Sequence, residues 1–113
     1  MVFPFVGDST TVLLYKLMRA AVAARPGRTE IVIDRDNFPT DRYVAEGVAA
    51  ECGLTVRWID VDHTAGVTAE QLSEAVGPAT ALVVISHVAY RSAWLADAPE
   101  LTRIAHDAGA LVL

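Results

Sequence analysis

Cysteine and lysine are almost missing from this chain of 113 residues: each occurs once, as Cys52 and Lys16. A lone cysteine cannot close an internal disulfide, so the fold must be held by its core and the disulfide-stapled secreted domains are excluded. One lysine beside eight arginines scattered along the sequence, at a net charge of −5, leaves no basic stripe. That argues against nucleic acid as a partner, because such binding rests on neutralising backbone phosphates. No apolar run approaches the roughly 18 residues a membrane helix needs, so a membrane role is not expected. The 53% hydrophobic content and mean hydropathy of +0.36 therefore belong to a buried core. Residues 1–6 lack a basic flank and are interrupted by Pro4, unlike a signal-peptide core, and the expected compartment is the cytoplasm. Neither Gly-x-Gly-x-x-Gly nor Gly-x-x-x-x-Gly-Lys-Ser/Thr occurs, which weighs against dinucleotide and P-loop sites.

What is present is a regular alternation of helix and strand signals. Residues 9–24 are dense in Val, Leu, Met and Ala, open on Ser-Thr-Thr and close before Pro26-Gly27, which predicts a largely buried helix. The Ile/Val run at 29–34 is of strand type. Residues 39–52 read as a helix, with Pro39 suited to the first turn and Gly53 to the C-terminal cap. A strand is expected at 54–59, and Thr68-Ala69-Glu70-Gln71 has capping-box spacing for a short helix that stops at Gly77-Pro78. Residues 81–85 form the next strand, 97–108 a helix capped by Gly109, and 110–113 a last strand. Short loops between alternating elements predict an α/β fold with a parallel or mixed sheet, right-handed crossovers, and one domain or part of one. There is no internal repeat, low-complexity tract or linker.

Three blocks carry candidate chemistry. Gly7-Asp8-Ser9-Thr10-Thr11 sits at a helix start, where unpaired N–H groups and the positive end of the dipole suit an anion, and where Asp8 or Ser9 can equally serve only as a cap. Asn37-Phe38-Pro39-Thr40-Asp41 puts a flat ring, a rigid turn and a carboxylate after a strand, at the edge where open α/β sheets bind ligands. A core Phe beside a capping Asp is the other reading of the same residues. Ser86 follows the strand at 81–85 and is either a ligand contact or a loop hydroxyl bonded to nearby backbone.

Taken together, Asp36-Asn37-Phe38-Pro39-Thr40-Asp41, the Gly7 to Thr11 block and Ser86-His87-Val88-Ala89-Tyr90-Arg91 resemble kynureninase in residues, order and spacing, over 6–113. The resemblance implies part of the large domain of a fold-type I pyridoxal 5'-phosphate enzyme. Residues 1–113 would be a partial domain whose sheet continues beyond Leu113, and the isolated chain would expose apolar strand and helix faces. The implied activity is hydrolysis of L-kynurenine or 3-hydroxykynurenine to an anthranilate and L-alanine, in tryptophan catabolism and NAD biosynthesis, by a cytoplasmic homodimer. Carried over residue by residue, Thr10 and Thr11 match a phosphate-binding pair and Phe38 the residue stacked on the cofactor ring. Pro39, Thr40, Asp41 and Ser86 match positions around that ring. A related class-V aminotransferase or cysteine desulfurase, and an inactive α/β gene product, are the alternatives.

The match has gaps. Kynureninases commonly carry Asn-Tyr-Arg-Thr-Gly where this chain has Ala89-Tyr90-Arg91-Ser92-Ala93, which puts that loop's backbone in question. Leu13 stands where the family usually has Asn. Tyr15-Lys16 imitates the family's cofactor-linking Tyr-Lys pair, yet Lys16 lies roughly 8–9 Å along the helix from its start at 1.5 Å per residue. No catalytic residue is therefore assigned in this chain, which alone is expected to be inactive. Asp60, Asp62 and His63 lack a second histidine at ligand spacing and suit a solvated turn, and His87 and His106 are isolated, so no metal is expected. Cys52 reads as a buried small hydrophobe.

Overall fold

The strand signals are too short and too rich in β-branched residues to be helices, and each becomes a strand of one sheet, two of them inner and two at its edges. A computed structural model describes Pro4 and residues 6–113. The order is α1 (Thr10–Ala23), β1 (Glu30–Asp34), α2 (Pro39–Cys52), β2 (Thr55–Ile59), α3 (Ala69–Ala75), β3 (Thr80–Val84), α4 (Ala98–Asp107) and β4 (Leu111–Val112). The four strands pair in parallel in the order β2-β1-β3-β4, with Ile33 opposite both Trp58 and Val84. The expected α/β class and parallel sheet are thus observed.

Alternation along the strands divides the core between two faces. Ile31, Ile33, Leu82 and Val84 pack with Met18 of α1 and with Ala45 and Val48 of α2. Val32 and Val83 point the other way, against Leu72 of α3 and Leu101 and Ala105 of α4. β1 and β3 are covered on both faces, as a parallel sheet requires, which explains why their sequences are nearly continuous Ile, Val and Leu.

The helix ends follow their local chemistry. The Thr68 hydroxyl accepts from the Gln71 N–H while the Gln71 side chain accepts from the Thr68 N–H, at 3.2 and 3.0 Å. Pro39 occupies the first turn of α2, and Gly53 ends that helix at φ 71°, a left-handed conformation that costs glycine little. The Asp97 carboxylate caps α4 by accepting from the Glu100 N–H at 3.1 Å.

Two sequence expectations need correction. α1 is not largely buried: Met18 is its one buried residue, while Val12 and Tyr15 stay 48% and 41% exposed. The helix lies with one stripe on α2 and β3, and apolar composition alone could not say how many neighbours would cover the rest. An apolar groove of about 320 Å³ between α1 and the β3–β4 side, lined by Leu17, Ala21, Leu82, Leu111 and Leu113, is part of that open surface. Cys52 is half-buried at the edge of the α1–α2 core and not enclosed within it.

Candidate functional site

A parallel strand delivers its loop to the carboxyl edge of the sheet, so the loops after β1 and β3, which are neighbouring strands, must meet there. They do so through side chains. Asp34, the last residue of β1, and Asn37 in the following turn are 7% and 3% exposed. The Asn37 amide nitrogen donates to Asp34 Oδ1 at 3.0 Å. Its amide oxygen accepts from the Phe38 N–H at 2.8 Å and from the Ser86 hydroxyl at 3.3 Å. Burial raises the Asp34 carboxyl above its ordinary pKa, and the Asn37 donor opposes this only in part.

Above this buried amide the loops present aromatic surface. Phe38 is the N-cap position of α2 and makes no side-chain cap bond, so its ring is free to face outward and is 47% exposed. Tyr90, 49% exposed, meets it edge to face with centroids 5.3 Å apart and planes at 89°. Asp36, whose side chain is only 9% exposed, anchors the same loops: Arg91 Nη1 donates to it at 3.0 Å and His63 Nδ1 lies 3.4 Å away. The loop after β3 closes on itself through an antiparallel bridge between Val88 and Leu95 and a bond from Ala93 N–H to the Ala89 carbonyl at 2.9 Å. Ala93 sits at φ 59°, so this alanine keeps a left-handed conformation that glycine would adopt without strain.

The remaining expected site residues divide. Pro39, Thr40 and Asp41 form the first turn of α2, half-buried; burial raises the Asp41 carboxyl, and among the described residues nothing donates to it. Thr10 and Thr11 open α1 with both side chains exposed, and Ser9 caps that helix by accepting from the Val12 N–H at 3.4 Å. α1 hands the chain through Pro26-Gly27 to the amino end of β1, so its own start lies toward the carboxyl edge. The structure brings Phe38 and Ser86 together through Asn37, while Thr10 and Thr11 make no hydrogen bond to either. Leu13 packs against Gly7, where a Cβ would come within 2.8 Å of Leu13 Cδ1, so an apolar contact occupies the expected asparagine position.

Sequence reasoning missed Asp34, Asn37 and the Asp36–Arg91 pair as members of this site. The only signal was an Asx residue directly before Phe-Pro, and its meaning depends on β1 lying beside β3. The suspected Asp62 turn is one: its carboxylate accepts from the Thr64 N–H and hydroxyl at 2.8 and 2.7 Å, and these donors lower its pKa. Lys16 is exposed on α1.

The donor set suits a phosphorylated aromatic ring. It offers a half-exposed aromatic ring at Phe38, a hydroxyl at Ser86, and hydroxyls beside unpaired first-turn N–H groups at Thr10 and Thr11. The comparisons with known proteins agree with this chemistry. The chain is 36% identical over 114 residues to a kynureninase of Pseudomonas fluorescens, a match that covers 96% of this chain and 26% of the relative. It thus spans about a quarter of that enzyme's length. The apo cysteine desulfurase of Thermococcus onnurineus NA1 superposes with a TM-score of 0.71 at 20% identity, covering 90% of this chain and 26% of that one. A variant of C-DES, solved with glycine covalently linked to its PLP cofactor, gives a TM-score of 0.66 at 19% identity, covering 98% of this chain and 37% of that one. Kynureninases and their class-V relatives are pyridoxal-phosphate enzymes. The model of the family described as aminotransferase class-V matches residues 7–113, and the chain belongs to that family.

Proposed function

We propose that this chain is the cofactor-seating segment of a kynureninase-type hydrolase, acting on L-kynurenine or its 3-hydroxy form to give an anthranilate and L-alanine. The observation that carries the reading is the amide-linked pair of Phe38 and Ser86 at the carboxyl edge, joined to the 36% identity with a kynureninase. Bound pyridoxal phosphate would supply the electron sink for breaking the carbon–carbon bond. The residues of this chain have simpler tasks. Phe38 stacks on one face of the ring, a contact worth about 0.5–1.5 kcal/mol beyond its area. Ser86 offers a hydroxyl at the ring's edge, Thr10 and Thr11 with the start of α1 hold the phosphate, and Pro39 and Thr40 fix the turn that aims Phe38. The Asp41 carboxyl borders the ring from the first turn of α2.

Lys16 takes no part, and the groups that bond covalently to the cofactor and pair with its ring nitrogen belong to other parts of such an enzyme. The chain is accordingly a partial domain of a cytoplasmic homodimer in tryptophan catabolism, inactive by itself. The test is replacement of the matching quarter of the Pseudomonas fluorescens kynureninase by residues 7–113. Anthranilate fluorescence from kynurenine is expected, and its loss on adding Phe38→Ala. A hybrid that folds and binds the cofactor but releases alanine from cysteine and not from kynurenine would favour the second reading, a cysteine desulfurase, which the likeness to the Thermococcus enzyme supports.

A further inference from the structure

Asn37 is almost fully enclosed, yet all three of its side-chain hydrogen bonds are made to different pieces of the candidate site. Its nitrogen is fixed by Asp34 at the end of β1, so the amide cannot flip without losing a bond to a buried carboxylate. Its oxygen then points one way only, and both the Phe38 N–H and the Ser86 hydroxyl meet it. The Phe38 bond sets the backbone at the N-cap of α2, where the side chain has no cap bond of its own to orient it. The Ser86 bond reaches 49 residues along the chain, from the loop after β3 to the turn after β1.

We infer that Asn37 is a positioning residue, one buried amide that sets the ring face of Phe38 and the hydroxyl of Ser86 relative to each other, so that the two contacts on a bound pyridine ring act as a unit. The inference rests on the cofactor reading above. Asp34 serves it as the fixed end of the relay, and the Asp36–Arg91 pair ties down the loop whose Tyr90 ring meets that of Phe38 at 5.3 Å, independently of the amide. Loss of the amide would leave both side chains in place but uncoupled.

Two measurements on the 113-residue chain separate this inference from the function reading. The first uses no ligand. Amide hydrogen exchange by NMR in Asn37→Ala should speed up at Phe38, with the Val32 amide in the centre of β1 still protected as in the wild type. Unchanged exchange at Phe38 overturns the inference. The second is titration with pyridoxal phosphate, followed by induced circular dichroism of its absorption band. Asn37→Ala should weaken binding about tenfold and Ser86→Ala about threefold, and the double variant should bind no more weakly than Asn37→Ala alone. Effects that multiply to about thirtyfold in the double variant would mean independent contacts and overturn the inference. A wild-type chain that is folded, as protection at Val32 shows, yet binds no pyridoxal phosphate overturns the cofactor-seating reading and with it the ligand half of the inference, while exchange at Phe38 still decides the structural half. Should Asn37→Ala fail to fold because Asp34 is left without its donor, Asp34→Ala/Asn37→Ala removes both partners and gives the same readouts.

Discussion

The two edges of the sheet use polar side chains in opposite ways. At the amino edge, arginines are spent on backbone. Arg28 Nη1 donates to the carbonyls of Gly77, Thr80 and Ala108 at 3.4, 3.0 and 2.8 Å, and Arg25 Nε to that of Gly109 at 3.0 Å. Thr80, fully buried, closes the turn before β3 by accepting from the Gly77 N–H. Gly109 stands at φ 83°, a left-handed conformation that glycine adopts without strain, and a Cβ there would also press on the Arg28 guanidinium. At the carboxyl edge the polar side chains bond to one another, and Phe38, Val88, Tyr90 and Leu95 remain between 47% and 65% exposed. The first edge is finished by its own chain, whereas the second is a built framework with open aromatic faces, the form expected where a ligand completes the structure.

On that contrast, substitutions at the two edges should separate stability from binding. The largest stability effect is expected at Arg28→Ala, which strips three carbonyls of a part-buried cationic donor. Hydrogen bonds to charged groups contribute about 1.5–3 kcal/mol each, and with partial replacement by water the loss should be about 3 kcal/mol in urea unfolding. Cofactor affinity per folded molecule should not change.

Phe38→Ala should do the reverse. Removing a half-exposed ring and its contact with Tyr90 costs the fold about 1–2 kcal/mol, less than Arg28→Ala, while loss of the stacked face should weaken pyridoxal-phosphate binding about tenfold. A Phe38→Ala chain that unfolds as readily as Arg28→Ala would erase the distinction between the edges.

A smaller effect follows from Asp34. Its folded pKa is raised by burial above the ordinary value of 3.8, so the native chain takes up this proton first as the pH falls. Stability contributed by Asp34 therefore grows as pH drops through its folded pKa toward 3.8, and is lost as pH rises through that folded pKa. Asp34→Asn, which can still accept from Asn37, should flatten this part of the profile, and urea midpoints collected across the acid range would check it. The smallest change is expected at Arg103→Ala: its pairs with Glu100 and Asp107 lie along the exposed face of α4, and no measurable shift in unfolding midpoint should result.

The elements were legible in the sequence wherever local chemistry decides them. The Thr68/Gln71 capping box, Pro39 in a first turn, Gly53 as a left-handed end and Asp97 before Pro99 each declare a boundary within a few residues of chain. Burial of α1 was not legible, because it depends on which surfaces the sheet presents to that helix. The candidate site was half legible: Phe38 and Ser86 were singled out through family resemblance, but the chain of bonds from Asp34 through Asn37 to Ser86 forms only when β1 and β3 become neighbours. Ala93 teaches a related point. Its departure from glycine put the loop's backbone in question, and the alanine stands at φ 59° in a loop closed by the bridge between Val88 and Leu95 and the bond to Ala89.

The central claim is that the carboxyl edge seats pyridoxal phosphate through Phe38 without a covalent bond to Lys16. Its most direct test is titration of the 113-residue chain with the cofactor, followed by borohydride reduction and mass mapping of peptides. Saturable binding that weakens in Phe38→Ala, with no pyridoxyl adduct at Lys16, is the predicted result. Binding indifferent to Phe38, or a stoichiometric adduct on Lys16, would contradict the account.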